Sequence, residues 1–219
     1  IVLIGGTGYL GNYPRTDVWR SSDNGSTWVM VNGTPGWGAR YSHTSVVMPD
    51  GSIILMGGRD GRGYYNDVWQ STDKGATWTQ VTANAGWSAR IDHTSVVMPD
   101  GSIILMGGND GSPKRDVWRS TDKGATWTQV TANAGWSARS HHTSVVMPDG
   151  SIILMGGQEN SVLIKNDVWR SKDNGATWTQ LAMNAEWSTR YNHASVLLPD
   201  GNIVLMGGRS STSTFWRDV

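Results

Sequence analysis

The chain has 219 residues with 18 basic and 18 acidic side chains, a balance that gives no electrostatic footprint for nucleic acid or an anionic membrane. It holds 28 Gly, 13 Trp, one Phe and no Cys, which excludes disulfides and thiolate metal sites and suits a turn-rich β protein. No apolar run approaches the roughly 20 residues of a membrane helix, so membrane insertion is not expected.

The first element, residues 1–6 (IVLIGG), reads as a strand closed by a Gly pair. A D-V-W strand follows at Asp17–Trp19, then the string S-x-D-x-G-x-T-W at residues 21–28, then a joining segment with Trp37 and Arg40. From there the chain repeats itself. The unit reads R-x-x-H-[TA]-S-V-[VL]-[ML]-P-D-G-x-I-[IV]-L-M-G-G, a loop, and D-V-W-x-S-x-D-x-G-x-T-W. His43, His93, His142 and His193 mark the units at spacings of 50, 49 and 51 residues.

In the second full unit, residues 94–98 (TSVVM) form a first strand. Pro99-Asp100-Gly101 turns the chain, with Pro fixing φ and Gly accepting a positive one. Residues 102–106 (SIILM) form a mostly apolar second strand, as expected of one covered on both faces. Gly107-Gly108 ends it, residues 116–120 (DVWRS) form the third strand, and residues 125–130 (ATWTQV) the fourth. Four short strands at a period near 50 predict a β-propeller, an all-β fold of four-stranded blades. The last stretch, residues 214–219 (TFWRDV), aligns with a third strand. The expected blades cover 1–38 (partial), 39–88, 89–137, 138–188 and 189–219 (partial), three complete and two incomplete, in one propeller domain. With no initiator Met or signal peptide, the expectation is a stretch of a longer propeller.

Each full unit brings three Trp, such as Trp118, Trp127 and Trp136. Each ring buries ~150–250 Å², a gross gain of roughly 4–6 kcal/mol. Most are therefore expected as wedges between blades.

The string S-x-D-x-G-x-T-W, at residues 21–28, 71–78, 120–127 and 171–178, resembles the Asp-box of bacterial-neuraminidase-type repeats. That resemblance implies a structural role for Asp23, Asp73, Asp122 and Asp173, each accepting amide bonds across the turn. The R-x-x-H segment, the Gly pair and the following D-V-W resemble a kelch repeat, whose domains mediate binding. Together the pattern is similar to repeat arrays of secreted or cell-surface proteins.

Comparison of units locates the variation. The segments between the Gly pair and D-V-W differ in length and composition, whereas the P-D-G and Asp-box turns keep theirs. In a propeller these variable loops and the blade-joining segments emerge on one face, which is the expected functional face. The joining Trp37, Trp87, Trp136 and Trp187 are candidate stacking platforms if the ligand is a glycan. Arg40, Arg90, Arg139 and Arg190 either bind an anion or bond backbone carbonyls and stack between blades, and their identical placement in every blade favours the second. The four histidines invite a metal reading, but radial placement separates them, and structural hydrogen bonding is preferred.

Twelve of the 18 acidic residues occupy repeated positions, leaving Asp60, Asp92, Asp110, Glu159 and Glu186 off the repeat, with Asp218 in the last strand. Nothing in their spacing, or in Tyr41, Tyr64, Tyr65 and Tyr191, forms a glycosidase constellation. The expected function is thus a non-catalytic extracellular or cell-surface propeller. It would bind a protein or glycan, or assemble through its open blades, without metal or cofactor. A sialidase-like hydrolase fragment using Arg90 and Glu159, and a ligand-free spacer, are the alternatives.

Overall fold

A computed structural model describes residues 1–8, 13–210, 215 and 218. Every regular element among them is a β-strand. β1 (Val2–Thr7), β2 (Pro14–Arg20) and β3 (Val29–Asn32) form a three-stranded sheet. The next sheet holds β4 (Thr44–Val47), β5 (Ile53–Met56), β6 (Val68–Ser71) and β7 (Thr79–Thr82). The third holds β8 (Thr94–Val97), β9 (Ile103–Met106), β10 (Val117–Ser120) and β11 (Thr128–Thr131). The fourth holds β12 (Thr143–Val146), β13 (Ile152–Met155), β14 (Val168–Ser171) and β15 (Thr179–Ala182). β16 (Ala194–Leu197) and β17 (Ile203–Met206) pair as the last sheet. All pairs are antiparallel between chain neighbours, the meander of a propeller blade. The third strand expected at residues 214–219 lies outside the described residues, except for Phe215 and Asp218.

The apolar second strands behave as their sequence dictates, with all four residues of β5, β9 and β13 buried. The fourth strand starts later than its sequence pattern implies, at Thr128 rather than at residue 125. The cause is local. The Asp122 carboxylate accepts the Thr126 amide at 2.9 Å and the Thr126 hydroxyl at 2.7 Å, so those groups serve the turn and not the ladder. The third-to-fourth strand pairing also slips inside D-V-W in four sheets, between Val18 and Trp19, Val68 and Trp69, Val117 and Trp118, and Val168 and Trp169.

Two compact units divide the chain: residues 1–91 with 121–127, and residues 92–120 with 128–219. In the first, Val18, Trp37 and Leu55 form a core with Val2, Ile4, Val31, Trp69 and Trp78 packed on it. Trp37 meets Trp78 edge-on at 6.0 Å, and Trp87 meets Trp127 likewise at 5.9 Å. In the second, the first strands β8, β12 and β16 are neighbours. Its main core joins Ile104, Met106 and Val117 to Trp136, Ile152 and Leu154.

The Asp-box glycines meet two demands at once. Gly124 has φ +90°, and a Cβ there would lie 2.6 Å from Val68 Cγ1, so the turn of one blade seats directly on β6 of the blade before. Gly175 makes the same approach to Val117 of β10. By contrast, Gly101 of a P-D-G turn has φ +79° with nothing within 4 Å of its Cβ position. Gly101→Ala is therefore expected to add only the backbone strain, about 1 kcal/mol. Gly124→Ala adds the clash and should cost about 1–3 kcal/mol more. Urea midpoints of the two variants compare them directly; equal midpoints would contradict the seating of the turn.

Candidate functional site

Each arginine that opens R-x-x-H reaches across to the aspartate that opens D-V-W. Arg40 Nη1 and Nη2 donate to Asp67 Oδ1 and Oδ2 at 2.6 and 2.9 Å. Nη1 also donates to the Gly57 carbonyl at 3.0 Å, and Nε to the Gly38 carbonyl at 3.1 Å. Arg139 repeats this on Asp167 at 2.6 and 2.8 Å, and on the carbonyls of Gly156 and Ser137. Arg190 repeats it on Asp218 at 2.8 Å for both bonds. Arg90 donates to the Ser88 carbonyl and hydroxyl. The same aspartates accept the indole N–H two residues on, as Trp69 donates to Asp67 at 2.7 Å and Trp169 to Asp167 at 2.8 Å. Burial pushes the Asp167 carboxyl up, but the Arg139 guanidinium bonded to it more than reverses this and leaves it below the usual value.

This geometry corrects the anion-site reading of the arginines. Arg40, Arg90, Arg139 and Arg190 are each at most 1% exposed. Where Arg40 and Arg139 make a bidentate carboxylate pair plus carbonyl bonds, the fork has no face left for a ligand oxyanion. It likewise removes Arg90 from a sialidase-like role. The joining tryptophans are corrected in the same way. Trp37, Trp87 and Trp136 are 3%, 1% and 0% exposed, which leaves no ring face for a sugar. Trp187 is half-buried, tilted on His193 with centroids 6.2 Å apart. A joining segment on the surface still turns its indole inward, because edge-on contact with the next box Trp hides more apolar area.

The histidines are structural. His142 Nε2 pairs with Thr94 Oγ1 at 3.0 Å and His193 Nε2 with Thr143 Oγ1 at 2.9 Å, one blade bonding the next within the second unit. Burial, reinforced by the charge of Arg40 or Arg190, holds His43 and His193 at about 4, so both are neutral at pH 7. No group of three or more His, Cys, Asp or Glu side chains among the described residues is arranged to hold a metal.

The Asp-box aspartates do what the turn requires. Asp73 Oδ1 accepts the Thr77 amide at 2.8 Å and Oδ2 the Thr77 hydroxyl at 2.6 Å; Asp23 and Asp173 repeat both bonds. The off-repeat acids are occupied locally. Asp60 accepts the amides of Arg62 and Gly63 and the Tyr65 hydroxyl, and Tyr65 is pushed up to about 12 by burial and by that carboxylate. Asp110 pairs with Lys114 at 2.7 Å, and Glu159 with Lys165 at 2.6 Å.

One array does resemble a nucleophilic triad: Ser140 Oγ lies 3.0 Å from His141 Nδ1, and His141 Nε2 lies 3.0 Å from Asp92 Oδ2. Ser140 is 2% exposed, however, and its amide donates to Gln158 O while the His141 amide donates to Asp92 O. A sealed hydroxyl flanked by spent amides has neither substrate access nor an oxyanion hole.

A family model described as the KLHDC2/KLHL20/DRC7 Kelch-repeats domain matches residues 1–208. No curated protein matches the chain.

Two outcomes test the site. Asp67→Asn strands the Arg40 charge in the interior and is expected to cost about 3–5 kcal/mol in denaturant unfolding. Asp218→Asn should cost less, because the Asp218 side chain is 53% exposed against 11% for Asp67. Stability should also fall between pH 6.5 and 4, since the unfolded histidines take up protons that folded His43 and His193 resist down to about 4. His193→Asn should flatten that slope; an unchanged slope would refute the assignment.

Proposed function

We propose that this chain, which belongs to the kelch-repeat family identified over residues 1–208, is a non-catalytic protein-binding propeller that holds its partner on the variable-loop face. One observation carries the reading. Within a framework of near-identical blades, the loops 59–66, 109–115 and 158–166 run to eight, seven and nine residues of unrelated composition. Their acids and amides are spent on holding the loops in shape. Asn160 Oδ1, for instance, accepts the amides of Val162 and Leu163. The turn so capped presents Val162 and Leu163 at 73% and 49% exposure, an apolar tip on a loop that differs from blade to blade.

Burial of Trp37, Trp87 and Trp136 takes away the platforms on which a glycan reading rested, so protein is the preferred ligand. The P-D-G side is self-satisfied by comparison, with Asp100 paired to Arg119 at 2.5 Å, Asp149 to Arg170 and Asp50 to Lys123.

A photo-reactive side chain at Val162 should cross-link a protein partner in the native extract, while the same group at Lys172, in an Asp-box turn, should not. Cross-links from Lys172 alone would move the interface to the other face and end this reading.

A further inference from the structure

We propose that Asn32 with Gly33 is a self-modification site, where the chain deamidates through a cyclic imide and so releases a tie between its first two sheets.

The sequence holds three Asn-Gly pairs: Asn24-Gly25, Asn32-Gly33 and Asn174-Gly175. In such a pair the glycine amide is well placed to attack the preceding side chain, because no Cβ hinders its approach. The fold separates the three. In the two Asp-box turns the nucleophile is occupied: the Gly25 amide donates to Ser21 Oγ at 2.8 Å, and the Gly175 amide to Ser171 Oγ at 2.9 Å. The Gly33 amide donates to nothing among the described residues, and Gly33 is exposed to water.

The electrophile is set up at the same place. The Thr34 amide donates to Asn32 Oδ1 at 2.8 Å, which folds the side chain back along its own backbone. That bond polarises the Cγ carbonyl and meets the negative charge that gathers on Oδ1 as the Gly33 nitrogen adds. In the box turns the corresponding amides, of Ser26 and Ala176, go instead to the carbonyls of Asp23 and Asp173. Water takes the Gly33 amide proton, the nitrogen bonds to Asn32 Cγ, and the Cγ–Nδ2 bond breaks to expel ammonia. A second water opens the imide to aspartate or isoaspartate, so one water is consumed for each ammonia released.

The group lost in this step holds two sheets together. Asn32 Nδ2 donates to the Ala76 carbonyl at 2.7 Å, from the end of β3 to the Asp-box turn of the next sheet. A carboxylate has no N–H to offer there and sets its oxygens against that of Ala76. At the following junction Thr82 fills the same place, and its hydroxyl donates to the carbonyls of Gly124 and Ala125 at 2.9 and 2.8 Å. Threonine has no amide to lose, so that junction is permanent.

The test keeps the whole chain folded at mildly alkaline pH and follows the three Asn-Gly peptides by mass spectrometry. Labelling by an isoaspartyl methyltransferase gives a second readout. Asn32 should react about tenfold faster than Asn24 or Asn174, the factor for freeing an amide from one hydrogen bond. In urea, with the bonds to Ser21 and Ser171 gone, the three rates should converge. Asn32→Thr should abolish the reaction and melt with wild type, since it copies the Thr82 junction. Asn32→Asp should lower the melting temperature by about 2–4 °C. The proposal is overturned if Asn32 in the folded chain reacts no faster than the two box asparagines, or if Asn32→Asp melts with wild type.

Discussion

The blades depend on a buried, bidentate arginine–aspartate pair that ties the entry of the first strand to the entry of the third. Such a pair is a poor source of net stability, because desolvating both ions offsets most of their attraction. Its value lies in what it forbids. With Asp67 gripping Arg40 and the Trp69 indole together, the joining segment, the Gly-pair carbonyl and the third strand take one arrangement only. The joining Trp37 is then delivered inward, edge-on to Trp78, and the histidine three residues after the arginine immediately precedes the first strand. Everything outside this bolt follows from ordinary β chemistry: an apolar second strand, tight turns and a polar outer strand.

Fold and blade count could be read from the repeat because the pattern at each position is dictated by local geometry. The second strands of the three complete blades are apolar and buried, and the P-D-G and Asp-box turns carry their own hydrogen-bond logic. What could not be read directly was direction. The joining segments look like surface loops, and Trp with Arg on a loop suggests a binding platform as readily as a wedge; the packing decides that Trp37, Trp87, Trp136 and the four arginines point in. A signal was nevertheless present. Arg40 and Asp67 stand 27 residues apart, Arg139 and Asp167 stand 28, and Arg190 and Asp218 stand 28. Two opposite charges that recur at nearly the same offset are more economically explained as partners than as two independent sites. The late start of the fourth strand was hidden for the opposite reason, since Thr-Trp has strong β propensity and only the Asp carboxylate withholds Thr126 from the ladder.

The seating of three of the four Asp-box glycines on a valine of the preceding blade has a consequence for how such a chain can change length. Gly75 meets Val18, Gly124 meets Val68 and Gly175 meets Val117, so successive junctions present the same chemistry to one another. A gene segment encoding one whole unit can be gained or lost by unequal recombination without creating a mismatched junction. The twenty-residue stretch STDKGATWTQVTANAGWSAR, present at both 71–90 and 120–139, is what such an event leaves behind. Binding loops ride along with the units that are copied, so the repertoire on the variable face can be reshuffled while the junctions stay interchangeable.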